Sequence, residues 1–86
     1  MENSGHFGDM LKERGIRPEW ADRTVEEADK IEDHDDGTRH FIKQIPEFGN
    51  RWLRVVVNVT ETPERRVTAF FDRRLRRQHE NQGGQR

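Results

Sequence analysis

The sequence predicts an α+β fold: two N-terminal helices packed on one face of a three- to four-stranded antiparallel sheet. Three observations predict it. Apolar residues recur at helical spacing over residues 4–28. An Asp36-Gly37 pair, a strong hairpin signal, stands between two extended segments. The segments RWLRVVVNV and VTAFF alternate with the period of two that a half-buried strand needs.

The first helix is expected over residues 4–14, with Ser4 as its N-cap. Phe7, Met10, Leu11 and Arg14 share one face at i, i+3, i+4 and i+7. Gly15 fits the left-handed position after the helix, and Ile16 then reaches back to Leu11. Pro18 suits the first position of a second helix, and Glu19 suits its positive end. Trp20, Ala21, Thr24, Val25 and Ala28 form the inner face of that helix. Its acids, Glu19, Asp22, Glu26, Glu27 and Asp29, would be repelled by phosphate, which excludes a DNA-reading helix-turn-helix.

The hairpin follows. Its first arm has Ile31 as its only large apolar residue, so it is expected to be short and at an edge. Its second arm spans about residues 38–45, and PEFGN turns the chain. The strand over 51–59 points Leu53, Val55, Val57 and Val59 to the helices and Trp52, Arg54, Val56 and Asn58 the other way. The last strand, 66–71, splits into Val67, Ala69 and Phe71 against Thr68 and Phe70. The expected core is Leu11, Ile16, Trp20, Val25, Leu53, Val55, Val57, Val67, Ala69 and Phe71. Residues 1–76 make a single α+β domain, a helical turn follows Arg73 through Arg77, and residues 77–86 make a disordered polar, basic tail.

Composition bounds the function. Hydrophobic content of 29% against 38% charged allows only a small core in 86 residues. Cysteine is absent, which removes disulfides and thiolate metal sites. There is no apolar run of membrane-spanning length and no secretory signal, so the expectation is a cytoplasmic protein with no membrane partner. The charge is uneven: residues 1–37 carry 12 acids and 5 bases, residues 38–86 carry 5 acids and 11 bases. The basic half suits a phosphate backbone or an acidic protein, whereas mutual neutralisation of the halves needs no partner at all.

His6, His34, His40 and His79 lack the i, i+4 spacing of a helical metal site, so no metal and no cofactor are expected. What remains is a basic and aromatic surface. Arg39, His40, Lys43, Arg51, Trp52 and Arg54 fall on two strands expected to pair. Metal-free RNA cleavage needs proton transfer at the ribose 2′-OH and the leaving oxygen, and cations for the phosphorane charge. Imidazole supplies the first near pH 7, and Arg or Lys the second. The register of the two strands decides which residues share a face: Phe41 opposite Val55 puts His40, Ile42 and Gln44 beside Arg54, and a one-residue slip puts Arg39, Phe41 and Lys43 there.

Four segments carry a resemblance: His6 with Met10, Leu11 and Glu13 to Ile16; Asp36 to Phe41; Ile45 to Val57; and Val67 to Arg74. They resemble a family of small, stand-alone prokaryotic domains of unknown function, whose first helix reads His-x-x-x-Arg-Met-x-x-Arg-Gly-Ile. The resemblance covers roughly residues 4–75. The layout is similar to that of RelE-like and BrnT-like toxins, metal-independent ribonucleases related in shape to barnase. It implies a RelE/barnase-like sheet with His6 and Arg14 near the site and Arg51 and Arg54 contributing charge. Joined to the basic surface read from the residues, the candidates are His6, Arg14, His40, Arg51 and Arg54 for catalysis, and Arg39, Lys43, Trp52, Arg73 and Arg74 for contact with RNA. Met10 stands where the family has its first Arg, which leaves an inactive relative as open as an enzyme. The implied partners are RNA and a cognate antitoxin-like protein. The competing expectation is a protein-binding module that uses the exposed sheet face or the acidic second helix.

Overall fold

The structure is a computed structural model and describes residues 1–75. The elements are β1 (Glu2–Asn3), α1 (Phe7–Glu13), α2 (Pro18–Glu26), β2 (Lys30–Asp33), β3 (Thr38–Ile45), a 3₁₀ turn (Pro46–Phe48), β4 (Arg51–Asn58) and β5 (Arg65–Phe71). The expected tail, 77–86, lies outside the described residues. The helical turn expected after Arg73 has begun by residues 73–75.

The fold is α+β, as expected, but the sheet has five strands and is mixed. Its order is β1-β5-β4-β3-β2. Strands β2 to β5 follow the chain antiparallel, as short connections require. The departure is β1, which pairs parallel with the far edge, Glu2 beside Arg65 and Asn3 beside Arg66. The start of the first helix is corrected with it. Helix α1 begins at Phe7, and the N-cap position belongs to His6, which makes no side-chain cap. Residues 2–4 are extended because the Glu2 and Ser4 N–H groups donate to the Glu64 and Arg66 carbonyls.

The link between the helices closes as a Schellman motif. Gly15 has φ +67°, its N–H donates to the Lys12 carbonyl, and the Ile16 N–H donates to Leu11. Pro18 opens α2, and the buried Thr24 hydroxyl donates to the Trp20 carbonyl at 2.8 Å. Helix α1 packs on β5, and α2 packs on β3 and β4. Between helices and sheet sit Phe7, Leu11, Ile16, Trp20, Ala21, Phe41, Ile45, Leu53, Val55, Val57 and Ala69.

Val25, Val67 and Phe71 are half-buried rather than fully buried. For Val67 the cause is a β-bulge: Val56 faces Thr68 but Val57 faces Arg66, so Val67 is the extra residue. Arg66 therefore turns to the helix side, donating to Asn3 and to Asp22 of α2 and lying over the Phe7 ring.

The hairpin turn is built on Gly37, with φ +85°, where a Cβ would meet the Thr60 methyl at 2.7 Å. Register follows the first of the two alternatives: Phe41 faces Val55, and Ile42 faces Arg54. The sheet face away from the core cluster therefore carries Glu32, His40, Ile42, Trp52, Arg54, Val56 and Phe70. Its centre is not a solvent face: Ile42 is 0%, Arg54 6% and Val56 7% exposed.

Candidate functional site

A buried arginine does not stay unpaired, because an isolated charge out of water is too costly. The groups that gather round Arg54 define the site. Its Nε and Nη2 both reach Asp72 Oδ2 at 2.9 Å. Its Nη1 donates to Glu32 Oε1 at 3.0 Å and to His40 Nδ1 at 2.8 Å. Strand alternation explains the set: Glu32 faces His40 across β2 and β3, and β4 brings Arg54 alongside. Asp72 directly follows β5, fixed by its N–H to the Trp52 carbonyl.

The hydrogen bonds fix the imidazoles. His40 accepts from Arg54 at Nδ1, so its own proton sits on Nε2, 3.2 Å from Thr38 Oγ1. The Thr38 hydroxyl donates onward to Asp36 Oδ1 at 2.6 Å. His34 stacks on His40 with ring centroids 3.8 Å apart, and its Nε2 lies 3.2 Å from Glu32 Oε1. A proton shared toward that carboxylate leaves the His34 Nδ1 lone pair as an acceptor.

Electrostatics follows contact. The Arg54 hydrogen bond holds the Glu32 carboxyl down at about 2. Burial lowers His40, and the charges of His34 and Arg54 lower it further, keeping the ring neutral. Burial opposes ionisation of Asp72, but the Arg54 hydrogen bond and charge and the backbone N–H groups of Arg74 and Leu75 outweigh it, so its pKa stays below the ordinary value. The Thr38 hydroxyl and N–H lower Asp36.

The residues expected in one site are dispersed. His40 and Arg54 meet. His6 is exposed at the head of α1, in the helix layer. Arg14 Nη1 donates to the Ala69 carbonyl at 2.7 Å and to the Thr68 hydroxyl. Arg51 lies 5.0 and 4.9 Å over the Phe48 and Phe71 rings, beside Trp20. Arg39 and Lys43 point to the other face and pair with Asp33 and Asp29. Trp52 shares the Arg54 face, two residues along β4. Arg73 and Arg74 are exposed, and Arg74 Nε stands 3.6 Å from Asp72 Oδ1. Met10 Sδ accepts from the Ala69 N–H and the Thr68 hydroxyl.

Three partners escaped the sequence reading: Glu32, His34 and Asp72. The i, i+6 separation of His34 and His40 is the available signal, since the Asp36-Gly37 turn folds one back on the other.

Among the described residues, Glu32, His34 and His40 offer donor atoms within 4.8 Å of one another, a spread suited to a cation. Arg54 Nη1 already stands between two of these donors, at 2.8 and 3.0 Å. The guanidinium thus supplies the positive charge that the donor set balances. A metal ion would have to displace it from its two acceptors. The set fits an acid–base cluster better than a metal centre.

The model of a family described as Domain of unknown function (DUF4258) matches residues 4–71. No curated protein and no solved structure matches the chain. Among the described residues, no helix is long and apolar enough to cross a membrane.

Proposed function

The chain belongs to the DUF4258 family, and for this member we propose a toxin-like, metal-independent ribonuclease whose proton-transfer pair is Glu32 and His34. The observation that carries the reading is the stack of His34 on His40, held by Glu32 and by the buried Arg54. Two imidazoles and a carboxylate locked together, with the His40 and Glu32 pKa values lowered, have the make-up of an acid–base site.

The chemistry follows from positions. His34 is the more exposed imidazole, with Nδ1 open to accept the 2′-OH proton while Glu32 orients Nε2. The 2′-oxygen attacks phosphorus, the bond to the 5′-oxygen breaks, and the imidazolium returns its proton to that oxygen. The products are a 2′,3′-cyclic phosphate and a 5′-hydroxyl end. Arg54 is committed to Asp72, Glu32 and His40, so it positions the imidazoles and leaves phosphate charge to others. Arg74, tied to the far side of Asp72 with its side chain 82% exposed, supplies that charge together with Arg73.

A cytoplasmic enzyme of this kind needs a cognate antitoxin-like protein. The competing reading is a binding module that uses the exposed sheet face or the acidic second helix; the burial of Ile42, Arg54 and Val56 weighs against the first of those surfaces. The test uses the full chain, a fluorogenic single-stranded RNA and excess chelator. Cleavage that survives chelation and falls in Glu32→Gln supports the proposal. RNA left intact at high protein concentration removes it.

A further inference from the structure

The two sides of the sheet are finished differently. Along β5, β1 takes the Glu64 and Arg66 carbonyls, and Met10 Sδ and Arg14 take the Ala69 N–H and carbonyl. On the other side β2 is the outermost strand, and Ile31 in it is 55% exposed. The His34 N–H donates to the Thr38 carbonyl, so residues 34 and 32 bond inward to β3. The N–H and C=O of Ile31 and Asp33 consequently point outward, and no described residue takes those of Ile31. An apolar residue with open backbone groups on an outer strand is a template for another strand.

The sequence of β2 is matched to itself. An antiparallel pairing about a two-fold axis through Ile31 sets Ile31 against Ile31 of the partner subunit, which closes two backbone hydrogen bonds. It also sets Lys30 against Glu32 of the partner subunit, twice by symmetry. In the single chain Lys30 Nζ lies 3.3 Å from its own Glu32 Oε2, so the same pair of charges exchanges between copies. Flanking Asp29 and Asp33 already carry Lys43 and Arg39, which limits the repulsion between them.

We propose that this chain self-associates through β2, joining two sheets into one continuous sheet of two copies, with Lys30 of the partner subunit beside Glu32. The inference does not depend on RNA cleavage. Four-residue strands bury little area, well short of the roughly 1,600 Å² of a standard interface, so the dimer is weak and concentration-dependent.

Sedimentation of the full chain between about 10 µM and about 1 mM tests it, the range a small interface calls for. The wild type is expected to shift from monomer toward dimer across that range. Ile31→Pro removes only an outward N–H, which an outer strand tolerates, and should keep the circular dichroism spectrum and thermal midpoint while staying monomeric. Lys30→Glu should weaken association about tenfold at low salt, and added salt should narrow the gap. A wild type that stays monomeric throughout overturns the proposal. So does an Ile31→Pro variant that dimerises as the wild type does.

Discussion

Arg54 and Asp72 form a buried ion pair that joins the third antiparallel strand to the end of the last one, with Nε and Nη2 both 2.9 Å from one carboxylate oxygen. The residues are 6% and 4% exposed. Deleting one member leaves the other charged and dry. Asp72→Ala should therefore destabilise by about 3–5 kcal/mol. Replacing both with apolar residues, as in Arg54→Met with Asp72→Leu, should cost much less. Urea denaturation of the two variants measures the difference, and equal losses would show that the pair is not desolvated.

The same network sets the acid response. His40 has a folded pKa below its ordinary 6.5. Stability from the neutral ring is complete above that value and declines as pH falls below it. Glu32 has a folded pKa of about 2 against an ordinary 4.5. Its contribution is complete above 4.5 and is lost as pH falls toward about 2. Thermal midpoints should therefore drop in two stages on acidification. His40→Gln should remove the first stage and keep the second. A single stage in the wild type, confined below pH 4.5, would show that His40 titrates normally.

The hydrophobic core gives a contrast between neighbours. Val57 is 0% exposed and faces the helices, whereas Val67 is the bulge residue and half-buried. Val57→Ala should cost roughly 1–3 kcal/mol and Val67→Ala clearly less. Chemical denaturation ranks them, and a reversed order would place the bulge one residue away.

Much of this fold is legible in the sequence, and what is not has physical causes. Gly15, Pro18 and Asp36-Gly37 act through local backbone geometry, so the helix link and the hairpin follow from a few residues. The alternation of Leu53, Val55 and Val57 likewise fixes which face of that strand is buried. Strand β1 is different. Glu2 and Asn3 have no apolar pattern, and only a strand more than 60 residues away makes them extended. The bulge at Val67 is equally silent, because VTAFF reads as an unbroken alternation. The site was half legible. A search for helical histidine spacing misses His34 with His40, since a hairpin brings them together. Nothing local distinguishes Arg54, which is buried among acids, from Arg51, which lies on aromatic rings.

Arg14 illustrates a residue whose neighbours redefine its role. Its guanidinium takes the outward Ala69 carbonyl, and Met10 takes the matching N–H. Both seal the strand's edge where β1 stops. Arg14→Ala should lower stability by about 1 kcal/mol, since water reaches the freed carbonyl. Any RNA cleavage should be unchanged. Hydrogen exchange at Ala69 in the Met10→Ala variant reads the edge directly, and protection equal to wild type would show that the sulfur contact is idle.

The sharpest division lies among the histidines. His34 has an open Nδ1 and its Nε2 on a carboxylate, whereas His6 stands at the N-cap position of a helix in the other layer of the molecule. If the Glu32 and His34 pair transfers the proton, His34→Ala should slow RNA cleavage about 100-fold or more, the usual scale for one acid–base group. His6→Ala should leave the rate within about twofold, because its imidazole reaches none of the groups that would act on the phosphate. Folding should survive both, since both residues are exposed. The pH profile separates chemistry from packing: loss of an acid–base imidazole removes a limb near neutrality, whereas loosened packing lowers the whole curve. Equal rates in wild type and His34→Ala would move the site away from this hairpin. A loss confined to His6→Ala would place it at the head of α1 instead.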